Sequence, residues 1–242
     1  MVRQNYLDMG RVMTMGDIHG SHQQMIQCFE RSNFDFENDT LIQLGDICDG
    51  NQPYIYECVE LLLSVKNLIQ IRGNHDDWFI TWLNTGRHPA GWLQGGRSTM
   101  ESYIKNAKRS SINPGDIPET HVKFFKGMHD RYVDEKNRLF IHGGFDRNFK
   151  LWQQDRNEYW WNRSLFEKAM SCKGSTKLKI ADNFSEIFIG HTTTLCWDTT
   201  LPIYAGNLIW NIDTGAGSDN GKLTIMDVET KEYWQSDKRI EK

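Results

Sequence analysis

The chain has 242 residues, a length that favours one domain or one domain with a modest insertion. Its 25% charged and 38% hydrophobic residues, with nine Trp and twelve Phe, exclude a disordered chain, and a net charge of −4 gives no reason to expect a stable nucleic-acid partner. No N-terminal apolar stretch resembles a signal peptide or membrane span, and five widely spaced cysteines without a Cys-x-x-Cys pair fit a reducing compartment, so a soluble cytoplasmic protein is expected.

In chain order, Val12 to Met15 reads as a strand that runs straight into Gly16-Asp17-Ile18-His19-Gly20. A helix follows, with Ser21 as its N-cap and Met25, Ile26 and Phe29 on one face. Leu41 to Leu44 is the next strand, Ile55 to Val65 a helix behind Pro53, and Leu68 to Ile71 a third strand. Strand, helix, strand, helix, strand is the order of an α/β core with parallel crossovers. Residues 78–128 read as helical and loop-rich, broken at Gly86 and Gly95-Gly96, and are expected to form a cap-like insertion in a single domain spanning 1–242. Strands return at Tyr132-Val133, Leu139 to Ile141, Ile187 to Ile189, Leu208 to Ile212, Leu223 to Val228 and Glu232 to Trp234. Short connections favour antiparallel pairing for several of these, and two packed sheets with helices outside would use them all.

Five segments share one layout, an apolar run followed at once by a polar group and glycine. They are Gly16-Asp17-Ile18-His19-Gly20, Gly45-Asp46-Ile47-Cys48-Asp49, Gly73-Asn74-His75-Asp76, His142-Gly143-Gly144 and Gly190-His191-Thr192. Each sits at a predicted strand end, where ligands gather in α/β sheets and where glycine permits a sharp turn. Imidazole, carboxylate and amide oxygen suit divalent transition metals, and no thiolate set suggests a structural zinc. Two cations side by side need an anionic bridge, for which Asp46 is the natural candidate; such a pair can activate water and clamp a phosphoryl group.

These segments resemble the signature of the metallophosphoesterase superfamily, specifically the phosphoprotein phosphatase family, and are similar to its small bacteriophage lambda type. The match runs from Gly16 to about Gly217 and includes Trp161-Asn162-Arg163 and Ile212-Asp213-Thr214-Gly215. The resemblance implies a calcineurin-like α/β (α+β) four-layer sandwich, two mixed β-sheets packed together and flanked by helices. It implies that Asp17 and His19 bind a first metal, Asp46 bridges, and Asn74, His142 and His191 complete the second site. The metals would be two divalent ions, Mn first, with Fe or Zn as alternatives. His75 would be the general acid, oriented by Asp49, and Arg72 and Arg163 would grip phosphate oxygens. The substrate implied is a phosphorylated protein at serine or threonine, or a small phosphoester. A nucleotide hydrolase acting on dinucleoside polyphosphates or nucleic-acid phosphate ends is the alternative.

One departure bears on substrate. The family's second motif continues Asp-Arg-Gly, whereas Asp49 is followed by Gly50 and Asn51. Loss of that arginine removes a charge-assisted contact worth about 1.5–3 kcal/mol. Arg87, Arg97 or Lys105 are candidates to compensate, and Gly50→Arg is expected to tighten phosphomonoester binding. The third motif ends in Asp76 where Glu is common. Other residues have plainer readings beside the functional ones. Arg72 is open to a structural ion pair, Arg163 to a surface position, and Asp213 to a turn. His22 reads as helix-face, His88 and His121 as surface, and His129 as loop. Cys48 is a small buried filler, and Trp78, Trp82 and Trp92 are core or substrate-facing. Tyr159-Trp160-Trp161 could stack on a base or simply pack, and Lys173, Lys177 and Lys179 mark a solvated loop.

Overall fold

The computed structural model describes residues 10–93 and 95–238. Its first part follows the expected alternation: β1 (Val12–Met15), α1 (His22–Ser32), β2 (Thr40–Gln43), α2 (Ile55–Leu63) and β3 (Asn67–Gln70). Met25 and Phe29 of α1 are buried. Ser21 occupies the N-cap position but makes no capping bond, and its buried hydroxyl has no partner among the described residues. The middle segment holds α3 (Asn74–Thr85), a short 3-10 turn at Ala90–Leu93, α4 (Gly96–Ala107) and α5 (Glu119–Lys126). Gly86 ends α3 at a φ of +68°, its N–H donating to Trp82 O.

The remainder comprises β4 (Arg131–Val133), β5 (Arg138–Ile141), α6 (Glu158–Trp161), α7 (Ser164–Met170), β6 (Glu186–Ile189), β7 (Ile203–Ala205), β8 (Ile209–Asn211), β9 (Thr224–Asp227) and β10 (Tyr233–Gln235). The strands form two five-stranded mixed sheets, ordered β10-β9-β1-β2-β3 and β4-β5-β6-β8-β7. Antiparallel pairing holds where connections are short, in β4/β5, β7/β8 and β9/β10. The central strands of the second sheet, β5, β6 and β8, run parallel, because the long segment 142–185 gives β5 a crossover to β6. Strand β7 was not anticipated from the sequence: it is three residues long and lies at an edge behind Pro202.

Strand residues alternate between two apolar layers. Leu139 and Ile141 of β5, with Ile187 and Ile189 of β6, face α6 and α7. Phe140 and Phe188 point the other way and stack at 4.9 Å and 9°, joining Ile42, Ile71, Ile212 and Met226 between the sheets. Met13, Met15 and Leu41 pack against the helices of the first half. The result is helices, sheet, sheet, helices, which is the sandwich expected. Burial on both faces explains why these strands read as continuous apolar runs.

Candidate active site

The loops that follow β1, β2, β3, β5 and β6 are tied to one another by hydrogen bonds that backbone groups make with each other or with buried side chains. Ile18 and His19 N–H both donate to Asp46 O, at 3.0 and 2.9 Å, and Gly190 N–H donates to His142 O at 2.9 Å. The Asp17 carboxylate accepts the His191 N–H at 3.1 and 3.2 Å. Glycine is required at 73 and 190: a Cβ at either would collide with the carboxylate of Asp46 or of Asp17. Asp76, fully buried, accepts the N–H groups of Asp46, Ile47, Cys48 and Gly73 at 2.8–3.2 Å. What looked in the sequence like a minor departure is thus the joint between the second and third loops.

Two groups of side chains are spaced to hold a metal ion: His19, Asp46 and His75, and Asp46, His142 and His191, with ligand atoms within 4.8 Å in each. Asp46 belongs to both. Asn74 joins the second group, its Oδ1 lying 3.1 Å from His142 Nε2. Asp17 is in neither, but is one hydrogen bond from the His191 backbone.

The histidine tautomers fit a cation pair. A carbonyl oxygen can only accept, so His19 Nδ1 donates to Cys48 O at 2.9 Å, His142 Nδ1 to Leu44 O at 2.8 Å, and His191 Nε2 to Trp161 O at 3.3 Å. The opposite nitrogen of each ring is left for a ligand. His142 Nε2 faces Asn74 Oδ1 and, at 3.3 Å, Asp46 Oδ2. With the outward nitrogens of His19, His142 and His191 deprotonated, as metal binding requires, these atoms and the Asp46 and Asn74 oxygens are all acceptors. Burial, His142 and Arg163 together push the His191 pKa down to about 2, so its ring stays neutral. Burial, Asp213 and Asp46 push Asp17 well above the usual carboxylate range. Burial also opposes charge on Asp46, but His142, His75 and His19 overcome it and hold Asp46 well below that range. Burial likewise opposes charge on His142, but Asp46 raises its pKa above the usual imidazole value. Crowded buried carboxylates beside imidazoles are a donor set whose repulsion divalent cations would relieve.

His75 Nδ1 donates to Asp49 Oδ2 at 2.7 Å, leaving Nε2 toward the cluster. Burial lowers the His75 pKa, yet Asp46 and Asp49 raise it to about 9. Asp49 is fully buried, and its other oxygen accepts Trp92 Nε1–H at 3.0 Å and the Thr99 hydroxyl at 2.6 Å. Thr99 was not singled out from the sequence, and Trp92 was read only as core or substrate-facing, not as a partner of Asp49. The Gly95-Gly96 pair was the available signal, since it marks a close approach of two backbones.

That approach corrects the expectation for position 50. Gly50 has a φ of +92°, and a Cβ there would lie 2.7 Å from His19 Cβ and 2.8 Å from His19 O. Gly95 packs back to back with it, its own added Cβ falling 2.9 Å from Gly50 N. No arginine fits at 50 without displacing His19. Two of the three candidate compensating cations are engaged elsewhere, Arg97 with Glu101 at 2.6 Å and Lys105 over the Tyr54 ring.

Arg163 lies against the second group, donating to His191 O at 2.7 Å and Thr192 Oγ1 at 2.9 Å. Arg72 is only 8% exposed, paired with Asp77 at 3.4 Å and set over the Trp160 ring at 5.4 Å, so the ion pair weighed in the sequence is present. Asp213 is buried, with Oδ1 accepting Gly215 N–H, which is the turn role expected. His121 is not at the surface: it is fully buried between Tyr103 OH at 2.9 Å and Glu60 Oε1 at 2.7 Å. No helix among the described residues is long and apolar enough to cross a membrane.

The profile of the family described as calcineurin-like phosphoesterase matches residues 10–202. Among solved structures, a protein provisionally described as a diadenosine tetraphosphatase is 15% identical, with 95% of this chain and 94% of that one covered and a TM-score of 0.64. A protein serine/threonine phosphatase from Saccharomyces cerevisiae is 14% identical over 98% and 82%, at 0.59. A cold-active protein tyrosine phosphatase is 12% identical over 90% and 74%, at 0.58. At such identities the likeness concerns the fold.

Proposed function

This chain belongs to the calcineurin-like phosphoesterase family, and within it we propose a metal-dependent phosphatase of phosphomonoesters, of the lambda type, acting first on phosphoserine and phosphothreonine in proteins. The observation that carries this is Asp46, shared by two ligand groups, with His75 of the first group held by Asp49. Asp17, His19 and Asp46 would hold one cation, and Asp46, Asn74, His142 and His191 the other. Two divalent ions there, Mn first and Fe or Zn otherwise, would lower the pKa of a water and offset phosphoryl charge.

The chain's own residues do the rest. Protonated His75 gives its Nε2 proton to the departing alkoxide, and Asp49 keeps the ring turned toward it. Arg163 grips phosphate oxygens from the His191 side, and Arg72, held by Asp77, is the second candidate for that role. Residues 78–128 act as an insertion in one catalytic domain, and the five unpaired cysteines support a cytoplasmic setting.

A second reading is favoured by Trp161. Tyr159 and Trp160 are buried, whereas Trp161 is 43% exposed beside His191 and 5.3 Å from Trp78. An exposed indole at the rim suits a nucleobase, as does the fold shared with the provisionally described diadenosine tetraphosphatase. Phosphopeptides, dinucleoside polyphosphates, cyclic phosphodiesters and an aryl phosphate, each with Mn and after chelation, separate the two. Phosphopeptide turnover that chelation abolishes and Mn restores is expected. Rapid nucleotide turnover with inert phosphopeptides would replace the leading reading by the second. His75→Asn should keep bound metal while lowering phosphopeptide turnover by about 10²–10⁴-fold.

A further inference from the structure

An acid relay needs its carboxylate held as firmly as its imidazole. Asp49 comes from the loop after β2, yet both ligands of its Oδ1 come from the middle segment: Trp92 in the 3-10 turn and Thr99 in the first turns of α4. The Thr99 hydroxyl bonds twice, donating to Asp49 Oδ1 at 2.6 Å and accepting Asp49 N–H at 2.9 Å. It therefore fixes the side chain and the backbone of Asp49 together. That backbone lies at a φ of +68°, in the left-handed region, which Asp tolerates better than most residues but still at a cost that its partners must offset.

The surroundings are built for this contact. Thr99 is fully buried and Trp92 nearly so. Gly95, at a φ of +104°, lets the chain pass against Asp49 and Gly50, where an added Cβ would sit 3.1 Å from Asp49 Cβ. Gly96 lies flat on the Trp92 indole, leaving no room there for a side chain. With Oδ1 saturated by two donors, Oδ2 has one partner among the described residues, His75 Nδ1 at 2.7 Å.

We propose that Trp92 and Thr99 are positioning residues that hold Asp49, and through it His75, for protonation of an alkoxide leaving group; this rests on the phosphomonoesterase reading above. The substrate class follows. A relay locked from a separate segment matters for phosphomonoesters of aliphatic alcohols, whose alkoxide departs badly without a proton. It matters little for esters of acidic phenols, which leave as stable anions.

The test compares a phosphothreonyl peptide with 4-nitrophenyl phosphate, using full-length enzyme with Mn. Thr99→Val should lower kcat on the peptide roughly 10–100-fold, with KM changed less than about twofold, and lower kcat on 4-nitrophenyl phosphate less than about threefold. Thr99→Ser keeps the hydroxyl and should restore the peptide rate. Trp92→Phe, which removes only the second donor, should show the same bias toward the activated ester, and serves if the valine variant does not fold. Bound Mn, measured directly, should match wild type. Equal losses on both esters would mean a purely structural role, and unchanged rates on both would mean no role; either result overturns the proposal. A wild-type enzyme inert toward both esters would instead sink the phosphomonoesterase reading beneath it.

Discussion

His19, Asp46, Asp49 and His191 hang from backbone at φ values of 48°, 52°, 68° and 67°. Each such residue costs about 1–2 kcal/mol relative to an ordinary conformation, so the surrounding hydrogen bonds must hold all of them in place. Gly50 sits inside this strained set, which turns the expectation about a restored arginine around. Gly50→Arg, and already Gly50→Ala, should push His19 out of position, since the first carbon of any side chain meets it. Calorimetric Mn titration should show weaker binding, by roughly tenfold or more, for an added cost of about 1.4 kcal/mol. Tighter phosphomonoester binding by the arginine variant with unaltered Mn affinity would contradict this. The protonation of His75 leads to a second expectation. Burial works against its charge, but Asp46 and Asp49 carry its pKa up to about 9. An acid must hold its proton to donate it, so phosphopeptide turnover should persist below that pKa and decline as pH rises through it. Cations beside Asp46 offset the carboxylate charge, placing the alkaline limb of the loaded enzyme below about 9. The pH profile of kcat checks this, and an identical limb in His75→Asn would assign it to another group.

At the scale of elements, the start of α3 does more than present His75. Asp76, one residue on, gathers four N–H groups from two loops, each a buried donor that would cost about 1–3 kcal/mol if left unpaired. Asp76→Ala should therefore destabilise the protein by roughly 3 kcal/mol or more, lowering the melting temperature by about 6–12 °C for a domain of this size, and should also weaken Mn binding because Asp46 loses its backbone anchor. A melting curve within about 1 °C of wild type would refute that. What the sequence made legible follows the same division. The β1–β3 unit was legible because its apolar runs end in motif residues, and His19, Asp46, His142 and His191 could be singled out because each motif is local. The contacts of Trp92 and Thr99 with Asp49 could not, because they span 43 and 50 residues and no periodicity reports such a contact. His121 was misplaced for the same reason: its partners lie 18 and 61 residues away. Strand β7 escaped because three residues at a sheet edge carry too short a pattern to stand out.

Over the whole molecule, the proposed ligand set draws on both sheets. Asp17, His19, Asp46 and Asn74 belong to loops of the first sheet and its helices, whereas His142 and His191 follow strands of the second. The interface is otherwise apolar, centred on Phe140 and Phe188, and at its end Asp17, Asp46 and Asp213 crowd together in a buried space. Cations bound there would link the sheets and remove like-charge repulsion, so metal binding should appear as stability of the entire fold. At a free Mn concentration about 100 times the dissociation constant, linkage contributes about 2.7 kcal/mol, which for a domain of this size raises the melting temperature by roughly 5–11 °C. Chelation should reverse the gain. Asp46→Asn retains an oxygen for the His75 N–H but surrenders the shared charge, so its melting temperature should respond to Mn far less than that of wild type. Thermal melts across a Mn titration check both expectations without any substrate present. A wild-type melting temperature that stays flat from chelator to saturating Mn would mean that these loops do not form a common cation site.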